Sequence, residues 1–280
     1  MKGFCPLASG SKGNCLYLGT DTTKILIDAG IGIRRITSSL ADIGVDITNI
    51  DAILITHEHT DHIRGLESLA AKYNIPILAN SDTAKAIGPF ERCMARFKIF
   101  STGEPFEFGD LKIHPFSIHH DTLDPVAFTF GFDDLKLGVC TDLGFVSTLV
   151  KSHLSDCDYL YLESNHDPEM VYASARPAIY KQRVLGRQGH LSNQACAELL
   201  KDIAHKNLKQ VYLAHLSSEC NRPDKALKIA QTALLESGLA IPIHIAYQDK
   251  LSYFLTFEEE KSGDSSTVCN NHTTAANQTK

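Results

Sequence analysis

The segment His57-Glu58-His59-Thr60-Asp61-His62 gathers three imidazoles and the Asp61 carboxylate within six residues. Imidazole nitrogens and carboxylate oxygens are the donors that hold divalent cations such as zinc and manganese. The segment follows strand-like Asp51-Ala52-Ile53-Leu54-Ile55-Thr56 and precedes Ile63-Arg64-Gly65-Leu66-Glu67-Ser68-Leu69, which reads as a helix start. In extended backbone, residues two apart point the same way, so His57 and His59 can offer two nitrogens to one cation. Asp61 and His62, in the first helical turn, aim elsewhere and can serve a second cation. A solvated histidine-rich loop is the plain alternative, but it does not explain so many donors packed at a strand end.

A metal site with open positions needs donors from distant segments, and each further candidate sits just past an apolar run. His119-His120-Asp121 follows the run 112–118, Asp142 lies in Cys140-Thr141-Asp142-Leu143-Gly144, and His215 follows 210–214. Asp28 ends the run 24–27, and Glu163 follows 159–162. Side chains at the ends of parallel or mixed strands converge on one rim, which is where such a site forms.

The elements that must position these residues are short. Apolar runs at 15–18, 24–27, 52–55, 75–79, 111–113, 126–130, 135–139, 159–162, 211–213 and 243–246 read mostly as strands. Helical spacing appears at 63–73, 83–87, 194–204 and 225–237. This order predicts two sheets with helices outside. No repeat or internal linker interrupts it, so residues 1–257 are expected to form one domain. From Glu258 onward the chain lacks aromatic and branched apolar residues apart from Val268, and a disordered tail over 258–280 is expected.

Composition sets the outer limits. With 280 residues, 43% hydrophobic and 21% charged, the chain can bury a full core. No window approaches the ~18 uninterrupted apolar residues of a membrane span, and the start MKGFCPLASG has no apolar export region. A cytoplasmic protein without membrane contact is expected. Its eight cysteines show no C-x-x-C pair and read as reduced thiols. A net charge of -6 argues against bulk attraction to nucleic acid, so any polyanion site must be local. Arg176, Lys181, Arg183 and Arg187 form such a track, with no acidic residue between Glu169 and Glu198, although a solvated helical face would look the same. The flexible loop Ser9-Gly10-Ser11-Lys12-Gly13-Asn14 could hold a phosphate on its backbone N–H groups.

Taken together these residues resemble the metallo-β-lactamase superfamily, whose motif H-x-H-x-D-H is matched by His57, His59, Asp61 and His62. Further segments extend the resemblance over nearly all of residues 3–254: Leu7-Ala8-Ser9-Gly10-Ser11-Lys12-Gly13-Asn14-Cys15, Ile27-Asp28-Ala29-Gly30, Glu163-Ser164-Asn165-His166-Asp167, Gly189-His190-Leu191-Ser192-Asn193 and Ala214-His215-Leu216-Ser217. This set is similar to the YycJ/WalJ branch of bacterial proteins, regarded as DNA exonucleases.

The resemblance implies an α/β fold of four layers, an αββα sandwich, with a dinuclear centre on its rim. The interval from Asp142 to His215 leaves no room for the large inserted cap domain of many RNA-processing relatives. By the same resemblance, His57, His59 and His120 bind the first metal, Asp61, His62 and His215 the second, and Asp142 bridges both. His120 is preferred to His119 because it precedes Asp121 as the family ligand does, and adjacent strand residues face opposite ways. Asp28 would hold the ligand loop by hydrogen bonds. Catalysis falls to His190, Glu163 and Asp61, with His190 contacting the scissile phosphate or protonating the leaving group and Glu163 orienting it. Phosphate contacts are expected from Ser9, Ser11, Asn14, Ser192, Arg183 and Arg187. His166 lies in a segment that also reads as a turn.

Two divalent ions about 3.5 to 4 Å apart can share a water, lower its pKa toward ~7 and stabilise attacking and leaving oxygens. No side-chain nucleophile is then needed, and the chain offers no convincing G-x-S-x-G elbow or Cys-His pair. A hydroxide held by the metals is the expected nucleophile. The expected function is a dinuclear phosphodiesterase, a 5′-3′ exonuclease acting on DNA. The alternatives are a small-molecule hydrolase for a thioester, lactone or cyclic phosphodiester, and a metal-dependent binding module without activity. Histidine-rich ligation suits Zn2+, while the carboxylates also admit Mn2+.

Overall fold

Ile25 and Ile27 face inward while Leu26 faces outward, and Ala52, Ile53 and Leu54 repeat the alternation one strand over. That period of two is what gives a sheet one face for a partner sheet and one for helices. The computed structural model describes residues 1–88 and 97–257, so the expected tail at 258–280 lies outside the described residues.

The first sheet contains β1 (Gly3–Ala8), β2 (Cys15–Gly19), β3 (Lys24–Ile27), β4 (Ala52–Leu54), β5 (Ile77–Asn80) and β6 (Phe97–Phe100) in that spatial order. The second contains β7 (Phe106–Phe108), β8 (Leu111–Ser117), β9 (Val126–Phe132), β10 (Leu135–Cys140), β11 (Tyr159–Glu163), β12 (Gln210–Ala214) and β13 (Ile243–Ile245), also in chain order. Strand β14 (Leu255–Thr256) returns to the first sheet beside β1. Each sheet begins with antiparallel hairpins and ends in parallel strands: β3 to β6 in one, β10 to β13 in the other.

The helices are α1 (Ile33–Asp42), α2 (Thr60–Ile63), α3 (Leu66–Tyr73), α4 (Ser81–Ile87), α5 (Thr148–Leu154), α6 (Pro168–Ala173), α7 (Ala178–Leu185), α8 (Asn193–Ile203) and α9 (Pro223–Glu236). Three apolar clusters define the layers. Phe4, Leu18, Phe128, Phe130 and Tyr161 meet between the sheets. Ile36 and Leu40 of α1 with Leu66 and Leu69 of α3 cover the first sheet. Val150 of α5, Leu199 and Leu200 of α8 and Ala230 of α9 cover the second. The result is the four-layer αββα sandwich. Each fully buried aromatic of the middle seam contributes roughly 1.5–3 kcal/mol of transfer free energy.

Two local differences from the sequence reading have physical causes. The helix expected over 63–73 is broken at Gly65, whose N–H donates to the carbonyl of Ala29 at 2.7 Å. A Cβ at Gly65 would stand 2.3 Å from the Ile31 carbonyl oxygen, so the chain leaves the helix there to pass against the loop after β3. Strand β1 carries cysteine, proline and alanine rather than a run of branched residues, and gave no strand signal. The described cysteines are all free and buried, as expected of reduced thiols. No helix among the described residues is long and apolar enough to cross a membrane.

Candidate metal centre

Strands β3, β4, β8, β10, β11 and β12 all deliver their carboxyl ends to one rim, and the loops beyond them turn sharply. Asp28, Asp142 and His215 follow β3, β10 and β12 with φ of 62°, 60° and 53°. Left-handed backbone costs a non-glycine residue on the order of 1–3 kcal/mol and persists where surroundings enforce it. Here it bends each side chain back toward the gap between the sheets. Gly30 permits the closest approach, since a Cβ there would lie 1.5 Å from the Asp61 carbonyl oxygen. Backbone bonds from Asn14 N–H to Asp61 O and from Ala29 N–H to His62 O, each 2.7 Å, sew the same loops together.

The donor nitrogens of His57, His59 and His120 all lie within 4.8 Å of one another. His59 Nδ1 stands 3.2 Å from His120 Nε2. The far nitrogens are anchored: His57 Nδ1 to the Thr56 hydroxyl at 2.9 Å and His120 Nδ1 to the Gly189 carbonyl at 3.2 Å. His59 Nε2 faces Asp121 Oδ1 at 3.6 Å. His119 is exposed, with its ring set edge-on to Phe145 at 5.7 Å, whereas His120 is buried in the cluster.

Asp61, His62 and His215 form a second set with the same mutual spacing. Asp61 Oδ2 lies 3.7 Å from His62 Nε2 and 3.8 Å from His215 Nε2. Asp28 Oδ2 accepts from His62 Nδ1 at 2.8 Å, and its Oδ1 accepts the Thr56 N–H at 2.9 Å. A carboxylate on the far nitrogen fixes the ring and leaves Nε2 for a cation. Asp142 stands between the two sets, with Oδ2 3.4 Å from His62 Nε2, and Oδ1 3.4 Å from His215 Nδ1 and 3.9 Å from His120 Nε2.

The arrangement fits divalent cations. His57 Nε2, Asp142 Oδ2 and His215 Nε2 are buried without a hydrogen-bond partner among the described residues. Orphaned polar atoms of this kind are costly unless something charged meets them. The electrostatics point the same way. Burial opposes ionisation of Asp142, yet His215 and His62 hold its carboxyl well below the usual range. Burial would lower His62, but Asp28 and Asp142 raise it well above its ordinary value. Against the same burial, Asp142, Asp61 and Glu163 raise His215 to about 10. His57 goes the other way, pushed well down by burial and then by His62. The buried carboxylates demand positive charge, which protons supply when cations do not.

Glu163 is fully buried and accepts four hydrogen bonds. Its Oε1 receives His190 Nδ1 at 2.8 Å and His215 Nδ1 at 3.0 Å. Its Oε2 receives the N–H groups of Leu143 at 2.9 Å and Leu191 at 3.1 Å. Burial would raise this carboxyl, but His190 pulls it below the ordinary value. His190 thus has one nitrogen fixed while its half-buried ring lines an open cavity of about 230 Å³, shared with Ser11, Tyr180, Arg183 and Ser217.

Of the residues expected to meet phosphate, Ser11 and Arg183 line this cavity. The other four are not among its lining residues. Ser9 is buried, its hydroxyl oxygen accepting from Tyr161 at 2.7 Å and from the His215 N–H at 2.8 Å. Asn14 is buried too, its amide nitrogen 3.0 Å from His62 Nε2 and 3.4 Å from Asp61 Oδ2. Ser192 caps α8 by accepting the Ala195 N–H at 3.1 Å. Arg187 stacks over the Phe145 ring at 4.0 Å. The basic track is also less bare than its sequence: Arg176 is paired with Glu219, and Arg183 Nε donates to Asp121 Oδ2 at 2.6 Å. Asp121 and Asn165 are site residues that sequence reasoning left without a role. Asn165 donates to the His215 carbonyl at 2.7 Å, and its neighbour His166 is buried.

Comparison with known proteins agrees with this geometry. Residues 23–216 match the family model described as a beta-lactamase superfamily domain. The chain is 36% identical over 243 residues to Exodeoxyribonuclease YycJ of Bacillus anthracis, covering 85% of this chain and 91% of that protein. It is 36% identical over 249 residues to Exodeoxyribonuclease WalJ of Streptococcus pneumoniae serotype 2 strain D39, covering 87% and 92% respectively. Among solved structures, the metallo-beta-lactamase fold protein YhfI from Bacillus subtilis superposes with a TM-score of 0.67 at 16% identity, over 90% of this chain and 98% of that one. At that identity the last likeness concerns the fold alone. Motif, sandwich and matched span converge, and the chain belongs to the metallo-β-lactamase superfamily as one of its hydrolases.

Proposed function

We propose that the chain is a phosphodiesterase that degrades DNA from its 5′ end, in the cytoplasm, with two divalent cations, Zn2+ in first place and Mn2+ as the alternative. The observation that carries the two-cation reading is Asp142, whose carboxylate faces both donor sets at once. The DNA reading draws its support from the two relatives named as exodeoxyribonucleases, which this chain matches along most of its length.

In this reading His57, His59 and His120 hold one cation, Asp61, His62 and His215 the other, and Asp142 lies between. Such cations supply an acidified water and neutralise charge on the attacked phosphate. The chain's own residues do the rest. Arg183 and Ser11 on the cavity wall receive non-bridging phosphate oxygens. Glu163 holds His190 with its Nδ1 proton inward, so the other ring nitrogen can give a proton to the departing sugar oxygen. Asp28 and Thr56 keep His62 and His57 from rotating.

Purified, metal-reconstituted protein incubated with end-labelled single- and double-stranded DNA and RNA tests the reading. Release of nucleotides from 5′-labelled DNA, stopped by a chelator and restored by metal, is expected. Turnover of thioesters or lactones with no cleavage of any polynucleotide overturns it.

A further inference from the structure

The metal cavity is lined mainly by ionisable and hydroxyl-bearing groups, with Tyr180 and Val184 beside them, which suits a phosphate. A second cavity, of about 340 Å³, adjoins it and has the opposite character. Leu216, Pro223 and Ile245 wall it together with the ring of Tyr247. Ser217 belongs to both linings, two residues past the donor His215. Ser9 belongs to the second cavity and binds the His215 N–H. The two spaces therefore lie on either side of one short segment. An apolar cavity of this size with a few polar groups at its edge is what small organic ligands occupy, in a range of about 300–1,000 Å³.

We propose that this second cavity receives the terminal nucleoside of a polynucleotide whose phosphodiester lies at the metal centre. The inference rests on the phosphodiesterase reading and adds to it a recognition site for the base. Aromatic and aliphatic walls accept the π-face of any base, and stacking of this kind is worth about 1–3 kcal/mol per base. The rim carries exposed Asp249 and Lys250. The Lys250 ammonium stands 3.9 Å from the Tyr247 ring centre, where it can meet the 5′-terminal phosphate of the bound nucleoside. Asp249 offers an acceptor for an exocyclic amino group.

The wall is built before any ligand arrives. Tyr247 is tied through its backbone, its N–H donating to the Ser252 hydroxyl at 2.9 Å and its carbonyl accepting the Ser9 N–H at 3.1 Å. Gln248 then reaches back to the loop that ends in Asn14, accepting the Lys12 N–H at 2.7 Å and donating to the Gly13 carbonyl at 2.9 Å. The same residues thus hold the base cavity and brace the loop against Asp61 and His62. A preorganised pocket of this kind spends little binding energy on ordering.

Calorimetric titration of the metal-loaded enzyme with deoxynucleoside 5′-monophosphates and with deoxyribose 5-phosphate separates base from phosphate. The nucleotides are expected to bind at least tenfold more tightly than the abasic sugar phosphate. Tyr247→Ala should remove that preference, and so should Ser218→Trp, which fills the cavity from its exposed rim, while metal content stays unchanged. Equal affinity for nucleotide and abasic phosphate in the unmodified enzyme overturns the pocket, as does a preference that survives both substitutions. A chain that binds nucleotides through this cavity yet cleaves no polynucleotide would sink the exonuclease reading and leave the base site standing.

Discussion

Glu163 Oε1 lies 2.8 Å from His190 Nδ1, and the same oxygen is 3.0 Å from His215 Nδ1. One fully buried carboxylate therefore fixes both the histidine proposed to serve the leaving group and a histidine of the donor set. Its second oxygen is occupied by two backbone N–H groups, so it has no freedom to serve only one of them.

That sharing separates two variants. His190→Ala should lower kcat by roughly 10²–10⁴-fold, the usual size of a general-acid contribution, with metal content unchanged. Glu163→Gln should slow turnover and also weaken metal binding, by about 10–100-fold, because a residue behind a metal donor tunes that donor. Kinetics paired with elemental analysis reads both. A Glu163→Gln enzyme with full metal and full rate would remove Glu163 from the machinery.

Asp142→Ala should abolish hydrolysis and strip metal from both positions, since its carboxylate faces both donor sets. Removing it also leaves His62 and His215 close together with less negative charge between them. Two tightly held ions in an active Asp142→Ala variant would contradict the bridging assignment.

His120→Ala should cost far more metal and activity than His119→Ala. His120 is buried against His59, while His119 sits exposed beside Phe145. The reverse order, with metal lost only from the His119 variant, would shift the register of the loop by one residue.

Much of this site was legible in the sequence because its donors obey local rules. His57 and His59 lie in the loop between β4 and α2 and still belong to one donor set, as their spacing suggests, and Asp28, Asp142 and His215 each announce themselves by following an apolar run. The backbone signs of those last three did not show, since nothing in a run such as Thr141-Asp142-Leu143 demands φ of 60°. The surroundings of the expected phosphate residues were less legible, for a different reason. The track from Arg176 to Arg187 lacks acids along the chain, but the fold brings Glu219 and Asp121 to it from far away. Ser9 and Asn14 sit in a glycine-rich loop that reads as open, while its packing beneath Asp61 and beside Tyr161 is a tertiary fact.

His166 should make the protein acid-sensitive. It is buried with Nδ1 unpartnered among the described residues, and burial pushes it down to about 4. In the unfolded chain the ordinary value is about 6.5. Between those limits the unfolded chain takes up a proton that the folded one refuses, so stability is full above 6.5 and falls as pH drops toward 4. The loss from this residue is on the order of 3 kcal/mol by pH 4. Denaturant midpoints measured from pH 7 to 4.5 on metal-free protein should fall less steeply in His166→Leu than in the unmodified chain. Parallel curves would assign the sensitivity to other groups.

Arg183 and Asp121 test the polynucleotide reading with opposite signs. Arg183 is exposed at the cavity but spends one N–H on Asp121 Oδ2, whose other oxygen lies 3.5 Å from His120 Nε2. Replacing Arg183 and Arg187 together by Ala should weaken polynucleotide binding and flatten its salt dependence by about 1–2 in log-log slope, because fewer counterions are released. Arg176→Ala should do little, since Glu219 already neutralises that charge and exposed pairs are worth about 0–1 kcal/mol. Asp121→Asn frees the Arg183 guanidinium for phosphate and should tighten binding and steepen the slope, at some cost to how firmly His59 is held. Cleavage of a small generic phosphodiester should fall in the double-arginine variant only by what Arg183 contributes at the cavity wall, with metal content unchanged, because neither arginine belongs to the donor set. An unchanged salt slope there, together with no gain in Asp121→Asn, would detach the arginines from the substrate and favour a small molecule at the metal centre.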